Sequence, residues 1–414
     1  MSATLQSTRP RISPAVTTLI LLIALNLLNY IDRYILPGAQ SLIQKEYGWN
    51  DQQIGALTTG FFFTYMLIAP LTGWLGDRLP RKPLIITGAV LWSLATLGTA
   101  WVHGYWTLFF RHAIVGVGEA TFSIFAPAVI ADFYPERERN RILSVFYIAI
   151  PVGAALGYLA GGTLGSRYGW RAPFFLCAFP GLLVAALYWW IGREPQRGAS
   201  DHIPPNWNRA SFRGLFTNGA FLTATLGLAT LTFAMGGIST WVPTFLHRVL
   251  GYSEAKSSMI VSAITVVDGI AGTVIGGWLA QRWLRTNDRA LYLFSALSVA
   301  LTLPFGALVF FGPKSTVVPA LLLAEFFLFL NTGPLNAAIV NSVSAPVRAT
   351  AISVNLFFIH FLGDTFSPQI IGAISDRSNL SLALGVTLIF LVISATILQV
   401  GSRFAPKLEA LQRN

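Results

Sequence analysis

Long uninterrupted apolar runs dominate the pattern of hydrophobic and polar positions along this chain. Twelve runs are found, at about residues 15–37, 51–76, 83–102, 106–133, 141–165, 171–192, 217–246, 255–280, 288–311, 316–343, 349–375 and 380–401. A helix needs about 20 apolar residues to cross a bilayer, whereas the strands of a membrane barrel are about half as long and alternate in hydrophobicity. The pattern therefore predicts an all-α membrane protein with twelve transmembrane helices.

The twelve runs fall into two groups of six. The segment between them, residues 193–216, is polar, contains three prolines and shows no helical or strand periodicity. Such a composition is typical of a loop between folded units. We therefore expect an N-terminal six-helix bundle at 1–192, a cytoplasmic linker at 193–216, and a C-terminal six-helix bundle with a short tail at 217–414.

A short motif, G-x-[LI]-x-[DQS]-R, closes four of the predicted helices. It occurs at the ends of helices 2, 5, 8 and 11, in Gly73–Arg78, Gly162–Arg167, Gly277–Arg282 and Gly372–Arg377. Helices 2 and 8 end on one side of the membrane, whereas helices 5 and 11 end on the other. The repeat therefore predicts four three-helix units, with neighbouring units inverted, as in many secondary transporters.

Composition and charge fit a protein that is surrounded by lipid. Only 11% of the residues are charged and 54% are hydrophobic, whereas about a quarter of a soluble domain is charged. This excludes a soluble enzyme, a disordered regulator and a disulfide scaffold. Of the 28 lysines and arginines, about 19 lie in the predicted inner loops and tails, which places both termini in the cytoplasm. The net charge of +11 is thus an orientation signal, and we expect no nucleic-acid partner.

The segment from Gly73 to Lys82 reads G-W-L-G-D-R-L-P-R-K. It resembles the loop motif G-x-L-x-D-R-x-x-R-K of the major facilitator superfamily, and the helix count and layout resemble that superfamily over the whole chain. The resemblance implies a gating loop that closes the cytoplasmic side in the outward-open state, formed by Gly73, Asp77, Arg78, Arg81 and Lys82. The alternative is that the basic residues only anchor the inner face. Gln281 replaces the aspartate in the helix 8 copy, so a latch there is weaker or absent.

Four charged residues lie away from the ends of predicted membrane helices in the first half. They are Asp32 and Arg33 on helix 1 and Arg111 and Glu119 on helix 4. Each costs about 2.5–3.5 kcal/mol at mid-membrane when unpaired, and their charges sum to zero, as a paired cluster requires. One interpretation is a proton relay in which Glu119 binds a proton and releases it when Arg111 or a cation approaches. The alternative is a static ion pair that joins helices 1 and 4.

A narrower resemblance covers four segments in both halves. Asn29–Gly38, Val115–Thr121, Phe146–Tyr158 and His360–Gly372 resemble helices 1, 4, 5 and 11 of the spinster family of major facilitators. Spinster-like proteins are proton-coupled carriers of lysophospholipids, sphingosine phosphates and related amphiphiles. Matched by position, the resemblance implies that Asp32, Arg111 and Glu119 take part in proton coupling. Here the arginine is one residue early and His112 takes its usual place, so His112 is a further candidate.

Several polar residues are candidates for contact with a solute. His360 and Asp364 are spaced i, i+4 on predicted helix 11 and therefore share a face. The full set of substrate-binding candidates is Arg33, Asn29, Glu325, Asn336, His360 and Asp364. For the asparagines the alternative is hydrogen bonding between helices, and for His360 and Asp364 it is a local pair.

Enzyme chemistry has little support in the sequence. No G-x-S-x-G, Walker loop or H-E-x-x-H motif is present, and the five histidines are dispersed. The single cysteine, Cys177, excludes an intrachain disulfide. We expect no cofactor and no metal.

The sequence therefore predicts a proton-coupled secondary transporter that moves an amphiphilic or anionic organic solute by alternating access. The nearest alternative is a proton-coupled carrier of small carboxylates or drugs. A different class, a membrane sensor, scramblase or scaffold without transport, would need the buried charges only for packing. We expect a monomer in a lipid bilayer, in a bacterial inner membrane.

Overall fold

The computed structural model describes residues 13–76, 78–196, 212–343 and 348–407. In this part of the chain almost every residue is helical and no strand is found. The first half comprises α1 Pro14–Tyr47, α2 Asp51–Gly76, α3 Arg81–Thr99, α4 Tyr105–Phe133, α5 Glu136–Leu159 with its extensions Ala160–Leu164 and Gly165–Tyr168, and α6 Arg171–Ile191. The predicted all-α architecture is confirmed.

The second half repeats the count of six. It comprises α7 Gly219–Arg248, α8 Glu254–Leu284, α9 Ala290–Phe311, α10 in two parts, Val317–Phe329 and Thr332–Asn341, α11 in three parts, Arg348–Ile359, His360–Asp364 and Ser367–Arg377, and α12 Leu380–Gly401. Among the described residues, eleven helical segments are long and apolar enough to cross a membrane. The remaining helix, α11, is divided into shorter pieces, and the predicted domain boundaries stay a prediction.

Several helices begin at a side chain that satisfies an exposed backbone N–H group. Ser13 caps α1, Asn218 caps α7, Ser253 caps α8 and Asn379 caps α12, each accepting from the N–H three residues later. Gly48 ends α1 with a positive φ of 68°, a conformation that costs glycine little. The sequence thus determines where the helices begin and end as well as where the apolar spans lie.

Small residues let α1 and α5 approach closely. Gly153, Gly157 and Gly161 recur every fourth residue on α5 and face α1. A Cβ atom at Gly157 would lie 2.8 Å from the Cβ atom of Tyr34. Because lipid tails are as apolar as the helices, close packing of small residues is a main source of helix association in membranes. This contact fixes the face of α1 that is left for the rest of the molecule.

The N-terminal face is the end of the molecule where α1 begins, and the opposite face is the end where α1 ends at Tyr47. Contacts between the two halves are concentrated from mid-molecule to the opposite face. On α5, Tyr158 donates a hydrogen bond to the Ser239 carbonyl of α7 (2.6 Å), and Ser262 of α8 donates to the Ala155 carbonyl (2.8 Å). Nearer that face, Gln40 of α1 donates to Thr244. The molecule is therefore closed towards the opposite face.

Candidate functional site

A buried ion pair joins α1 and α4 at the centre of the first half. The Nε and Nη2 atoms of Arg33 both donate to Oε2 of Glu119, at 2.9 and 2.7 Å. The Glu119 side chain has no solvent exposure and that of Arg33 is 12% exposed. Because an unpaired charge is costly in this environment, each residue stabilises the ionised form of the other.

Four aromatic rings surround the guanidinium group of Arg33. The rings of Tyr30, Phe61, Phe62 and Tyr65 have centroids between 4.8 and 5.8 Å from its central carbon. Cation–π attraction is stronger where water is excluded. The rings therefore stabilise the guanidinium of Arg33 at this position and form apolar walls around the site.

The ion pair leaves polar atoms without partners. Within the described part of the chain, Oε1 of Glu119 and both amide atoms of Asn29 are buried without a hydrogen bond of good geometry, although Asn29 lies beside the Glu119 carboxylate. Asn29 precedes Arg33 by one helical turn and so shares its face of α1. Buried polar groups are nearly always hydrogen-bonded in folded proteins. The site thus has unused capacity for a proton or a polar ligand.

Asp32 is directed away from this pair. Its Oδ2 atom accepts a hydrogen bond from Thr96 of α3 at 3.4 Å, and its Oδ1 atom has no partner among the described residues. The side chain is 3% exposed. Asp32 is therefore in no ion pair among the described residues. It lies between α1 and α3, within electrostatic range of the Glu119 carboxylate.

The cation paired with Glu119 is Arg33, not Arg111. The guanidinium of Arg111 lies against Gly98 of α3, and no ion pair involving Arg111 is found among the described residues. The expected approach of Arg111 to Glu119 is therefore not seen in this structure. Eight residues separate the two on α4, which amounts to about 12 Å along the helix and about 80° around it.

His112 is buried beside the pair without joining it. Its ring lies 5.2 Å from that of Phe61, between centroids. Its exposure is 6%. The proton-coupling roles of Arg111 and His112 stay predictions.

The second half reaches the same aromatic residues through α11. His360 packs against Phe62 and Tyr65 of α2, with ring centroids 5.7 and 5.1 Å apart. Its Nδ1 atom hydrogen-bonds to Oδ1 of Asp364 at 2.9 Å, so the predicted i, i+4 neighbours do interact. This segment is π-helical with a kink at Gly363, a distortion often found at functional sites. Both halves therefore contribute to one central site.

Two further carboxylates are buried in the second half. Thr265 of α8 donates to Oε2 of Glu325 of α10 at 3.3 Å. Asp268, one turn after Thr265, is 1% exposed, and its Oδ2 atom has no hydrogen-bond partner among the described residues. Glu325 thus faces α8. Asn336 is exposed and donates to the Thr332 carbonyl of its own helix (2.7 Å).

The described part of the predicted gating loop contacts helix ends of the first half. Arg81 pairs with Asp132 at the end of α4 (2.5 Å), and Lys82 donates to two carbonyl groups at the end of α6. Glu194 accepts the backbone N–H groups of Arg81 and Lys82 at 2.6 and 3.0 Å and so caps α3. Glu194 is not among the predicted site residues, since its only signal in the sequence is an acidic residue after helix 6.

The other residues of the predicted gating loop are Gly73, Asp77 and Arg78. Gly73 lies in α2, Arg78 follows α2 in a turn, and Asp77 lies outside the described residues. The expected role of Asp77 stays a prediction.

Comparisons with known proteins place this geometry in context. The Major Facilitator Superfamily profile matches residues 22–368. Protein spinster homolog 1 of Xenopus tropicalis is 34% identical over 385 residues, which cover 88% of this chain and 73% of the relative. The sphingosine-1-phosphate transporter SPNS2 of the same organism is 32% identical over 369 residues, covering 85% and 72%. A bacterial homolog of the human lysosomal transporter spinster, solved in an inward-facing and occupied conformation, has a similar fold. Its TM-score is 0.82 at 22% identity, with 97% of this chain and 99% of that chain covered.

Proposed function

The chain belongs to the spinster family of the major facilitator superfamily, and we propose that this membrane transporter couples protons to the movement of an anionic amphiphile. The observation that carries the proposal is the buried Arg33–Glu119 pair, in which both Arg33 nitrogens bind Oε2 of Glu119 and Arg33 is the one cation paired with it among the described residues. A carboxylate that a single cation neutralises in a dry site gains a proton when that cation finds another partner. This property makes Glu119 the proton carrier.

The coupling follows from charge balance. With no solute bound, ionised Glu119 neutralises Arg33. When an anionic group binds Arg33, Glu119 loses its counter-charge and takes up a proton, so that the central site remains neutral. A protonated Glu119 with a solute-bound Arg33 can cross between the two open states without carrying net charge through the membrane. The proton and the anion therefore move together.

The surroundings of Arg33 favour an amphiphile over a small carboxylate. Four aromatic rings flank the guanidinium, and they offer contact area for an acyl chain next to the charged headgroup. His360, on the other half, lies on two of these rings and supplies a second hydrogen-bonding group. The relative that is named a sphingosine-1-phosphate transporter supports a phosphate headgroup attached to an apolar chain.

The remaining candidates take supporting roles in this proposal. Asp32 and His112 influence the electrostatic potential at Glu119. Arg111 attracts anions near one end of the bundle. The Asn29 amide offers hydrogen bonds to the headgroup, and Asp364 positions His360. Glu325 and Asn336 contact the solute in another state of the cycle. With both termini in the cytoplasm, the closed opposite face is the outer one. The Gly73–Lys82 loop would then close the cytoplasmic side in the outward-open state.

Competition separates the two solute classes. In proteoliposomes with an imposed pH gradient, unlabelled lysophosphatidic acid is expected to suppress uptake of labelled lysophosphatidylethanolamine. An equal concentration of acetate or lactate is expected to leave uptake unchanged, because these ions cannot bury apolar surface, which contributes about 25 cal/mol per Å². Protein-free vesicles control for lysolipid partitioning into the bilayer. Equal inhibition by lactate would replace the amphiphile with a small carboxylate.

A further inference from the structure

A dense network of hydrogen bonds joins the two halves at the opposite face, outside the central site. Arg248, at the end of α7, donates from Nη1 and Nη2 to the two carboxylate oxygens of Asp51, at 2.8 and 2.7 Å. Gln44 of α1 donates to Oδ1 of the same carboxylate at 2.7 Å, and Ser375 of α11 donates to Oδ2 at 2.6 Å. Asp51 is 5% exposed, so its carboxylate is shielded from water, whereas the Arg248 side chain is 36% exposed.

A second carboxylate, on α11, binds the backbone at the start of α2. Asp376 of α11 accepts the backbone N–H groups of Asp51 and Gln52, at 2.8 and 2.9 Å. These N–H groups open the first turn of α2 and have no partner within that helix. A carboxylate at this position is also favoured by the positive end of the helix dipole. Residues of α11 therefore cap α2 across the boundary between the halves.

Glycines bring the two backbones close enough for these bonds. A Cβ atom at Gly372 of α11 would lie 2.6 Å from the Asp51 carbonyl carbon, and one at Gly55 of α2 would lie 2.6 Å from the Pro368 carbonyl carbon. Such distances force a shift of backbone atoms. The motif copy at Gly372–Arg377 therefore supplies a close contact, through Gly372, and the capping carboxylate, Asp376.

We propose that Gly372–Arg377, together with Asp51 and Arg248, is a latch that holds the opposite face closed. It is the inverted counterpart of the Gly73–Lys82 loop. A carboxylate at the end of a helix that carries this motif can pair with a basic residue or with the N-terminus of a neighbouring helix. The α11 copy of the motif does this on the other side of the molecule, where it binds the N-terminus of α2. The latch deepens the proposed function, since alternating access requires the opposite face to open once per cycle.

The latch makes opening a concerted event. The Asp51 carboxylate accepts hydrogen bonds from Arg248 and Ser375. The backbone N–H of the same residue donates to Asp376. A separation of α2 from α11 therefore breaks these interactions together. Hydrogen bonds to charged groups are stronger than those between neutral groups, so the loss of one partner is expected to raise the open-to-closed ratio about tenfold.

Distance measurements by pulsed electron paramagnetic resonance test the latch directly. Spin labels are attached at Tyr168→Cys on α5 and Leu382→Cys on α12, in a Cys177→Ser background, since both label sites are exposed and lie at the opposite face. In nanodiscs without solute, Asp376→Ala is expected to enrich the longer distances about tenfold relative to this background. Gln281→Ala, at the matching position of the α8 copy, is the control and leaves the distribution unchanged.

Arg248→Gln is the second variant, in case Asp376→Ala does not fold, and it removes the bidentate bond to Asp51. An unchanged distance distribution in a folded variant of either kind would overturn the latch, as would an equal shift in Gln281→Ala. The measurement needs neither solute nor proton gradient. Failure of the latch therefore leaves the proposed function standing, and absence of transport leaves the distance result intact.

Discussion

Glu119→Gln is expected to reduce proton-driven uptake of lysolipid to the level of protein-free vesicles while solute exchange continues. Glutamine has nearly the shape of the protonated acid, so Arg33 remains available to an anionic headgroup, but the side chain can no longer release a proton. Accumulation requires that release and exchange does not. Uptake under an imposed pH gradient and counterflow at equal pH, measured on the same vesicles, separate the two activities.

The same substitution is expected to change how lysolipid binding depends on pH. In the wild type, deprotonated Glu119 competes with the headgroup for Arg33, so binding weakens as the pH rises through the titration of Glu119. The loss approaches tenfold per pH unit because one proton is linked to binding. Glu119→Gln removes the competitor and binding becomes insensitive to pH in that range. Glu119→Asp, which retains a carboxylate, is the matched control and keeps a pH dependence; a pH-independent wild type would contradict the competition.

Arg33→Gln is expected to abolish lysolipid binding and to destabilise the protein. The substitution removes the cation that binds the headgroup and leaves the Glu119 carboxylate buried without a counter-charge, a change that typically costs about 3–5 kcal/mol. The loss becomes smaller at low pH, since protonation of Glu119 removes the unpaired charge. Thermal unfolding in detergent at several pH values gives the stability, and equilibrium binding of lysophosphatidic acid gives the affinity.

A double variant separates binding from stability in this experiment. Arg33→Gln combined with Glu119→Gln has no buried charge at the pair and is expected to recover most of the lost stability without recovering binding. Arg33→Lys keeps the charge but loses the two-nitrogen contact with Oε2, so intermediate binding is expected. Additive destabilisation in the double variant would show that Arg33 and Glu119 are not energetically coupled.

The helices could be predicted from the sequence because a membrane span is a local property. Each needs about 20 apolar residues, and that length is visible in a single run. The repeated motif also indicated which helix ends are related, and the structure gives its α11 copy a concrete contact through Asp376. Helix α11 itself is divided near His360–Asp364, a break that the apolar run from 349 to 375 does not reveal.

The pairing of charges could not be predicted in the same way. The sequence shows four membrane charges that sum to zero, at Asp32, Arg33, Arg111 and Glu119. The choice of partner, however, depends on how α1 and α4 are rotated about their axes. The glycines of α5 set that rotation for α1, since they pack against one of its faces. Arg33 is left facing Glu119 and Asp32 faces α3. Only the packed helices contain this information.

Residues at helix ends were missed for a related reason. Asp51 and Arg248 look like ordinary interfacial charges in the sequence, because the contacts of Asp51 with Arg248 and Ser375 join residues about 200 or more positions apart along the chain. Glu194 likewise becomes informative only when α3 and the end of α6 lie side by side. Such tertiary capping has no local signature.

The measurement that tests proton coupling most directly is the pH inside proteoliposomes during lysolipid uptake. Vesicles that contain a trapped pH-sensitive dye are prepared at equal internal and external pH, and lysophosphatidic acid is then added outside. Coupled movement predicts that the lumen acidifies with wild-type protein, in proportion to the lysolipid taken up, and that it does not acidify with Glu119→Gln. Wild-type uptake without acidification, or acidification that persists in Glu119→Gln, would contradict the account.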